Sequence, residues 1–358
     1  MEPYAELTPV GQFRRVRAVA ERTVVTRFLG ERAFWLRGLN HGENTTFDVG
    51  REGTGRGPPA RFCLRLSRPG YQRPEWIRSE LDWLRALAEA GFRVPAPVPA
   101  TDGTWVVPVR DPTLDGERWA AMFRWVEGRF RRRDRLRPVH LHRVGRLTAR
   151  LHAHARAWRR PRGFTRPRWD WDGYFGETAV FAPWRTVGAG ASKDEFLASD
   201  HPVGRLLSRA DRTTLRRAED RLRGVFRDLG DGDDAVGLLH ADLHAMNVLF
   251  SDGEAAAIDF DDCGTGYWLS DLGVTVSHLG DRWDDRSLCD ALVAGYREVA
   301  PLSPGAAALI PTFVACRRVQ MVYSMLSRCT TAASIAGRAP WVRKFCATVA
   351  AIISARRR

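Results

Sequence analysis

The chain has 358 residues, 44% of them hydrophobic, with a formal net charge of +14. That length suffices for two domains of ordinary size with a substantial core. Nowhere is there the run of about 18–20 unbroken apolar residues that a membrane-spanning helix requires. Met1 to Pro9 shows no basic stretch followed by an apolar one, so no secretory leader is expected and the expected location is cytoplasmic. None of the six cysteines stands in a Cys-x-x-Cys pair, which argues against a zinc site or a disulfide framework and for buried, reduced thiols. The positive charge is almost all arginine, with lysine only at 193 and 344. The dense runs, Arg129 to Arg137 and Arg356 to Arg358, are short and form no aromatic-interleaved basic stripe, Phe130 being the one aromatic in them. A nucleic-acid partner is therefore not expected, whereas phosphate binding by individual arginines is.

In chain order, Val10 to Leu29 carries Val16, Val19, Val24, Val25 and Phe28 at mixed helical spacing and is expected to be a helix. Arg32 to Leu39 reads as a strand. Asn40 to Asn44 reads as a turn in which Gly42 is free to take positive φ, with Thr45 to Val49 returning. Arg61 to Leu66 is a further strand. Pro74 opens a helix to about Ala90, with Ile77, Leu81, Leu84 and Leu87 on one face and Gly91 as its stop. Val94 to Pro99 reads as an extended connector, followed by strands at Thr104 to Val109 and Trp119 to Trp125. The first ~125 residues thus predict a sheet of about five strands with one long helix. From Pro138 helices prevail: Leu141 to Trp158, Asp211 to Phe226, Ile310 to Ser327 and Val342 to Ala355. Pro161 to Gly176 is aromatic and irregular. Asn247 to Phe250 and Ala255 to Ile258 form a short hairpin about the turn Ser251 to Glu254. His152 and His154, two apart in a helical run, are expected on the helix surface.

The chemistry concentrates in His240-Ala-Asp242-Leu-His244-Ala-Met-Asn247 followed by Ile258-Asp259-Phe260-Asp261. Phosphoryl transfer needs a carboxylate to orient an acceptor hydroxyl and take its proton. It also needs oxygen ligands for the divalent cation that accompanies a triphosphate. Asp242 follows the apolar run Val236 to Leu239, Asn247 opens one strand of the hairpin, and Asp259 ends the other. A hairpin can bring Asn247 and Asp259 to one end, giving three oxygen-bearing side chains around one site. His240 and His244 lie four apart, but the Glu of a zincin motif is missing. No Gly-x-Ser-x-Gly and no Walker A run occurs.

The Asp, Asn and Asp spacing resembles the catalytic loop and metal-binding Asp of protein kinases. The whole pattern resembles still more the aminoglycoside phosphotransferase and related small-molecule kinase family, including homoserine-kinase-like and stress-response-kinase-like members. Asp271-Leu-Gly273 matches that family's downstream Asp-Leu. The resemblance implies an α+β, bilobal protein-kinase-like fold: a small antiparallel sheet with one long helix as N-terminal lobe (1–124), a hinge (125–128) and a larger, mainly helical C-terminal lobe (129–358). It implies ATP and Mg2+ as cofactors, Asp242 as catalytic base with His240 supporting the loop, Asn247 and Asp259 as metal ligands, and Asp271 as a structural anchor. Upstream, Asn40 to Phe47 is similar to the nucleotide-covering turn, placing Gly42, Asn44 and Thr45 near phosphate. Phe62 to Gly70 matches the third strand, and Ile77 to Leu81 the helix whose Glu80 pairs with that strand's basic residue. Phe123 to Gly128, with Arg124, Trp125 and Val126, resembles the adenine-binding hinge. The family's small-lobe Lys is absent, and Arg65 is its only substitute in register.

The acceptor is less legible. Trp169-Asp170-Trp171-Asp172-Gly173-Tyr174-Phe175 alternates aromatic and acidic residues, which suits a cationic or sugar-like acceptor or simply pins a loop. Asp261 and Asp262, beside the metal motif, are further acceptor candidates. The expected activity is Mg-dependent transfer of the ATP γ-phosphoryl group to a hydroxyl of a small metabolite or antibiotic. A Ser/Thr protein kinase of the same fold, and a nucleotide-binding pseudokinase or scaffold, are the competing readings. ATP against GTP stays open.

Overall fold

The computed structural model describes residues 2–30, 33–51, 60–177, 179–187, 190–198, 200–329 and 332–355. Arg32, Ser199 and the run Arg356 to Arg358 lie outside them. The chain divides into two compact units, Met1–Gly128 with Arg159–Arg166 and Ala256–Asp261, and Arg129–Trp158 with Pro167–Ala255 and Asp262–Arg358.

The smaller unit opens with α1 (Pro9–Val19) and α2 (Val25–Leu29), joined by a single π-type turn at Ala20–Val24. One uninterrupted α-helix was the sequence expectation. The wider turn occurs where the β-branched run Thr23-Val24-Val25 crowds the backbone, and it lets Val24 and Val25 both face the core. Strands β1 (Phe34–His41), β2 (Asn44–Arg51), β3 (Ala60–Ser67), β4 (Pro97–Val98), β5 (Val107–Val109) and β6 (Arg118–Arg124) form one antiparallel sheet. Its order is β1-β2-β3-β6-β4, with β5 also on β6. The strand beyond the five expected is β4, hidden in the proline-rich connector, where Pro97 occupies an edge position that needs no donor. Inward residues Phe47, Val49, Leu64, Leu66, Ala120 and Met122 pack with Val16, Val24 and Phe28 into one apolar cluster. Trp35 lies across the β1–β2 ladder on Gly50, where any Cβ would meet its ring at 1.6 Å. α3 (Pro74–Glu89) buries Ile77, Leu81, Trp83, Leu84 and Leu87. It ends at Gly91, whose φ of +80° only glycine adopts without strain.

The larger unit runs through α4 (Pro138–Ala157), β7 (Arg168–Trp169), α5 (Trp171–Phe175), α6 (Pro183–Thr186), α7 (Lys193–Ala198), α8 (Arg209–Leu229) and β8 (Val236–Leu239). Next come the hairpin strands β9 (Val248–Ser251) and β10 (Glu254–Ala257), β11 (Gly264–Tyr267) and α9 (Leu269–Ser277). It closes with α10 (Arg286–Arg297), α11 (Pro304–Ala307), α12 (Ile310–Ser327) and α13 (Ala332–Ser354). The chain crosses into the smaller unit within β10. Asp252 and Gly253, at φ +48° and +82°, make the two-residue hairpin turn. β11 lies between β7 and β8. The irregular aromatic stretch thus contains a strand and a helical turn. The last helix starts ten residues before the expected Val342 and carries Pro340 inside it.

α4 and α10 approach closely because each offers a glycine to the other. A Cβ on Gly145 would stand 2.0 Å from the Leu292 carbonyl oxygen, and one on Gly295 would stand 1.9 Å from that of His142. This approach sets His152 of α4 beside Tyr296 of α10, with the hydroxyl 3.0 Å from Nδ1.

Candidate active site

In the larger unit the loop from His240 to Asn247 leaves β8 and is held from behind by Asp271, a fully buried residue of α9. The Asp271 carboxylate accepts the backbone N–H of His240 at 3.1 Å and that of Ala241 at 2.7 Å. Ala241 stands at φ +66°, a left-handed conformation costly to a residue with a Cβ. The two charge-assisted bonds offset that cost and aim the next residue, Asp242, outward. Thr275, one turn on, adds a 2.7 Å bond to the Leu243 carbonyl.

Asp271 is itself fixed by His152, whose Nε2 lies 3.1 Å from the carboxylate. A carboxylate only accepts, so this nitrogen carries the proton and Nδ1 accepts from the Tyr296 hydroxyl. The sequence expectation of a surface His152 is therefore corrected. Its ring is fully buried between α4, α9 and α10, because the α4 face carrying it is closed by the glycine-mediated helix contact. Sequence reasoning missed this residue: period-3.6 patterning registers apolar side chains, and a satisfied core histidine leaves the same trace as an exposed one.

The Asp242 carboxylate is crowded with donors. Asn247 Nδ2 reaches Oδ2 at 3.0 Å and also the Asp242 carbonyl at 3.0 Å. His244 Nε2 lies 3.3 Å from Oδ2, its Nδ1 accepting the Met246 amide. On the other oxygen, Oδ1, sits the guanidinium of Arg317 from α12, a residue to which the sequence motifs gave no role. Burial alone would raise the Asp242 pKa, but Arg317, then His244 and His278, outweigh it and hold the carboxyl well below its usual range. His278 packs 4.3 Å from the His244 ring, and its own pKa is lowered well below the usual value, by burial first. His240 is fully buried and accepts the Asp242 amide, so it shapes the loop rather than meeting solvent.

In the smaller unit, Arg65 of β3 and Glu80 of α3 form a buried two-pronged pair, NH1 to Oε1 at 2.8 Å and NH2 to Oε2 at 2.5 Å. Burial would lower the arginine's pKa, but Glu80 more than restores it, so Arg65 is firmly cationic. Phe123 lies 5.0 Å beneath the guanidinium. Asn44 donates to Asp261 Oδ2 at 2.6 Å, Thr45 Oγ1 meets His41 Nδ1 at 2.9 Å, and the Gly42 amide bonds the Asn44 carbonyl at 2.9 Å. Gly42 does not use the positive φ allowed to it; the turn closes by bonds across its ends instead. At the segment read as a hinge, the Arg124 amide goes to Ala96 and the Trp125 amide to Arg61, whose guanidinium stacks 3.6 Å over the Trp125 ring. Val126 follows, half-buried. Asp259 sits at φ +65°, two residues beyond the end of β10. Asp261 is buried, which raises its carboxyl pKa despite Arg65, and its carbonyl takes bonds from Gln72 and Arg166.

Of the four aspartates read as acceptor candidates, Asp170 caps α5, accepting Gly173 N–H at 3.0 Å, and pairs with Arg168 at 2.7 Å. Asp172 is exposed on that helix. Asp261 is committed to Asn44, and the Asp262 carbonyl accepts the Trp169 indole at 2.9 Å. The aromatics between them are largely core: Trp169, Tyr174 and Phe175 are buried.

Each of the two residues read as metal ligands carries oxygen of the kind that a hard divalent cation takes. Asn247 spends its amide nitrogen on Asp242, leaving its oxygen as the group's remaining polar atom. Asp259 is a carboxylate on a left-handed backbone in the smaller unit.

The chain matches the model of the phosphotransferase enzyme family over residues 35–309. It is 31% identical, with a TM-score of 0.75, to a solved microcompartment-associated aminopropanol kinase, covering 93% of this chain and 96% of that one. An amicoumacin kinase solved with AMP-PNP, Ca2+ and Ami shares the fold at a TM-score of 0.69 and 19% identity, over 94% and 96% of the two chains. The amicoumacin kinase of Bacillus subtilis (strain 168) is 23% identical over 277 residues, 74% of this chain and 73% of its own. With a sheet-and-helix architecture shared with these kinases and a matched region spanning most of its length, this chain is an ATP-dependent phosphotransferase of α+β, protein-kinase-like fold that belongs to the phosphotransferase enzyme family.

Proposed function

We propose that the protein transfers the γ-phosphoryl group of ATP to a hydroxyl of a small-molecule acceptor, with Asp242 as the base. The observation that carries this reading is the presentation of Asp242. Its loop is strained at Ala241, clamped by Asp271, and its carboxylate is held ionised by surrounding donors. A strained backbone maintained by a buried ionic clamp is the mark of a positioned group. The relatives named as aminopropanol and amicoumacin kinases support a small acceptor over a protein one.

In the proposed reaction the acceptor oxygen attacks the γ-phosphorus and its proton passes to a carboxylate oxygen of Asp242. The bond from phosphorus to the β–γ bridging oxygen breaks, and ADP leaves with that electron pair. Asn247 and Asp259 are the residues proposed to hold Mg2+, which when bound neutralises charge on the triphosphate oxygens. Arg65, kept cationic and oriented by Glu80, is proposed to meet the nucleotide phosphates in place of the usual lysine. Gly42, Asn44 and Thr45 are proposed to cover them, and Arg124 to Val126 to receive the base. His240, His152 and Asp271 position the loop. The test is transfer from γ-labelled ATP across a library of hydroxyl compounds, comparing the parent with Asp242→Asn. Loss of transfer in the variant, with nucleotide binding retained, is expected. Undiminished transfer in that variant would remove Asp242 from the mechanism.

A further inference from the structure

Arg317 stands on the one carboxylate that must be unencumbered for proton transfer. Its NH2 donates to Asp242 Oδ1, its NH1 donates to Gln320 Oε1 at 2.8 Å, and its Nε is buried without a hydrogen-bond partner. Oδ2 already receives Asn247 and His244. Oδ2 therefore has both its lone pairs engaged, and a hydroxyl meets the carboxylate at Oδ1, where Arg317 already sits. Asn247 and His244 belong to the same short loop as Asp242. Arg317 alone comes from a separate helix on a long side chain, and both members of the pair keep some exposure, 12% and 17%. It is the donor free to exchange.

An arginine fork leaves a carboxylate readily only for another oxyanion, and its planar geometry suits two parallel bonds. Here one arm is spent on Asp242 and the other on a neutral glutamine, so the fork is not matched by a single two-oxygen partner. The groups arrayed about the Asp242 carboxylate are Arg317, His244, His278 and Asn247, all cationic or neutral. Asp271 lies behind the loop, fully buried and committed to backbone amides. An ammonium group brought here would find Asp242 itself as its partner and would compete with Arg317 for it.

We propose that Arg317 selects the acceptor, and that the acceptor carries a carboxylate near the hydroxyl it phosphorylates. The carboxylate draws the Arg317 fork from Asp242 Oδ1 onto itself, and the hydroxyl takes the vacated oxygen. This inference rests on the reading of Asp242 as the base. It clears Oδ1 of its competing cation only when the acceptor is seated, which limits transfer to water.

The test uses acceptor pairs that differ by the carboxylate alone: L-serine against ethanolamine, and 3-hydroxypropanoate against ethanol. The hydroxy acid is expected to exceed its partner by about 10- to 100-fold in kcat/KM, the range of a charge-assisted two-pronged contact. Arg317→Ala removes the preference, chiefly by raising KM for the hydroxy acid, and Arg317→Lys, which keeps the charge without the fork, restores part of it. A second readout requires no acceptor: propanoate, which has no hydroxyl, accelerates MgATP hydrolysis by the parent enzyme and not by Arg317→Ala. Equal or greater use of the amino alcohol, or an Arg317→Ala loss of the same factor on every acceptor, overturns the proposal; the latter assigns Arg317 to the phosphoryl group instead. Silence on every pair together with no propanoate effect overturns it as well. Asp242→Asn separates the two layers: transfer surviving in that variant refutes the base, whereas transfer lost there with selectivity unmoved in Arg317→Ala refutes only the selector.

Discussion

Two arginine–carboxylate pairs, one in each unit, use the same chemistry to opposite ends. Arg65 and Glu80 are 8% and 1% exposed, match two nitrogens to two oxygens, and are sealed between β3 and α3. Arg317 and Asp242 are more open, share a single contact, and Asp242 divides its oxygens among three side-chain donors. A saturated pair fixes a geometry, because each partner would be left as an unpaired buried charge without the other. An unsaturated pair fixes a charge state while leaving room for exchange. The difference teaches that the strength of an ion pair says little about its role, and that the count of competing partners says more.

The comparison can be broken from either side. The largest expected effect is on Asp242→Asn, where kcat for transfer should fall by about 10²–10⁴-fold, the usual worth of a general base, with nucleotide affinity retained in a binding titration. Next is Arg65→Ala, expected to cost about 3–5 kcal/mol because Glu80 is left buried and unpaired. Denaturant unfolding measures it, and the double variant Arg65→Met with Glu80→Leu should recover much of the stability without recovering nucleotide affinity. A loss under about 1 kcal/mol in the single variant would show that the pair is not sealed.

A smaller effect is expected for His152→Phe. The ring volume is kept but Asp271 loses a donor and Tyr296 an acceptor, so about 1–3 kcal/mol of stability is lost. kcat should fall with little change in KM, since the loop holding Asp242 is loosened while no substrate contact is removed. Unchanged kcat alongside lost stability would confine His152 to the core.

The smallest effect concerns acid stability, where two aspartates are expected to differ in sign. The folded Asp242 carboxyl is lowered by Arg317 and the histidines against burial. Its contribution is therefore full above the unfolded value of about 3.9 and is lost as pH falls through the lower folded value. Asp261 is raised by burial, so it costs stability above that unfolded value and the cost is relieved as pH falls. Asp242→Asn should flatten the acid limb of a melting-temperature profile. Asp261→Asn, which can still accept from Asn44, should raise the neutral-pH Tm by about a degree or two. A common sign for both would contradict the assigned surroundings.

What the sequence determined by itself was local and periodic. The antiparallel strands and α3 followed from alternation, amphipathic spacing and the Pro74 and Gly91 signals. The turn expected at Ser251 to Glu254 is there, with Asp252 and Gly253 at its tip. The stretch proposed as catalytic could be picked out as a motif because its residues lie within one short segment of the chain. Only the tertiary structure decided what reaches that segment from afar. Arg317, 75 residues on from Asp242, and His152, 119 residues before Asp271, enter the site through helix packing. For His152 that packing depends on a pair of glycines, Gly145 and Gly295, whose meaning appears only when α4 and α10 touch. It likewise decided that Asp170 caps a helix and that Trp169 is core, since burial belongs to the assembled chain and a residue's own neighbours in sequence do not specify it.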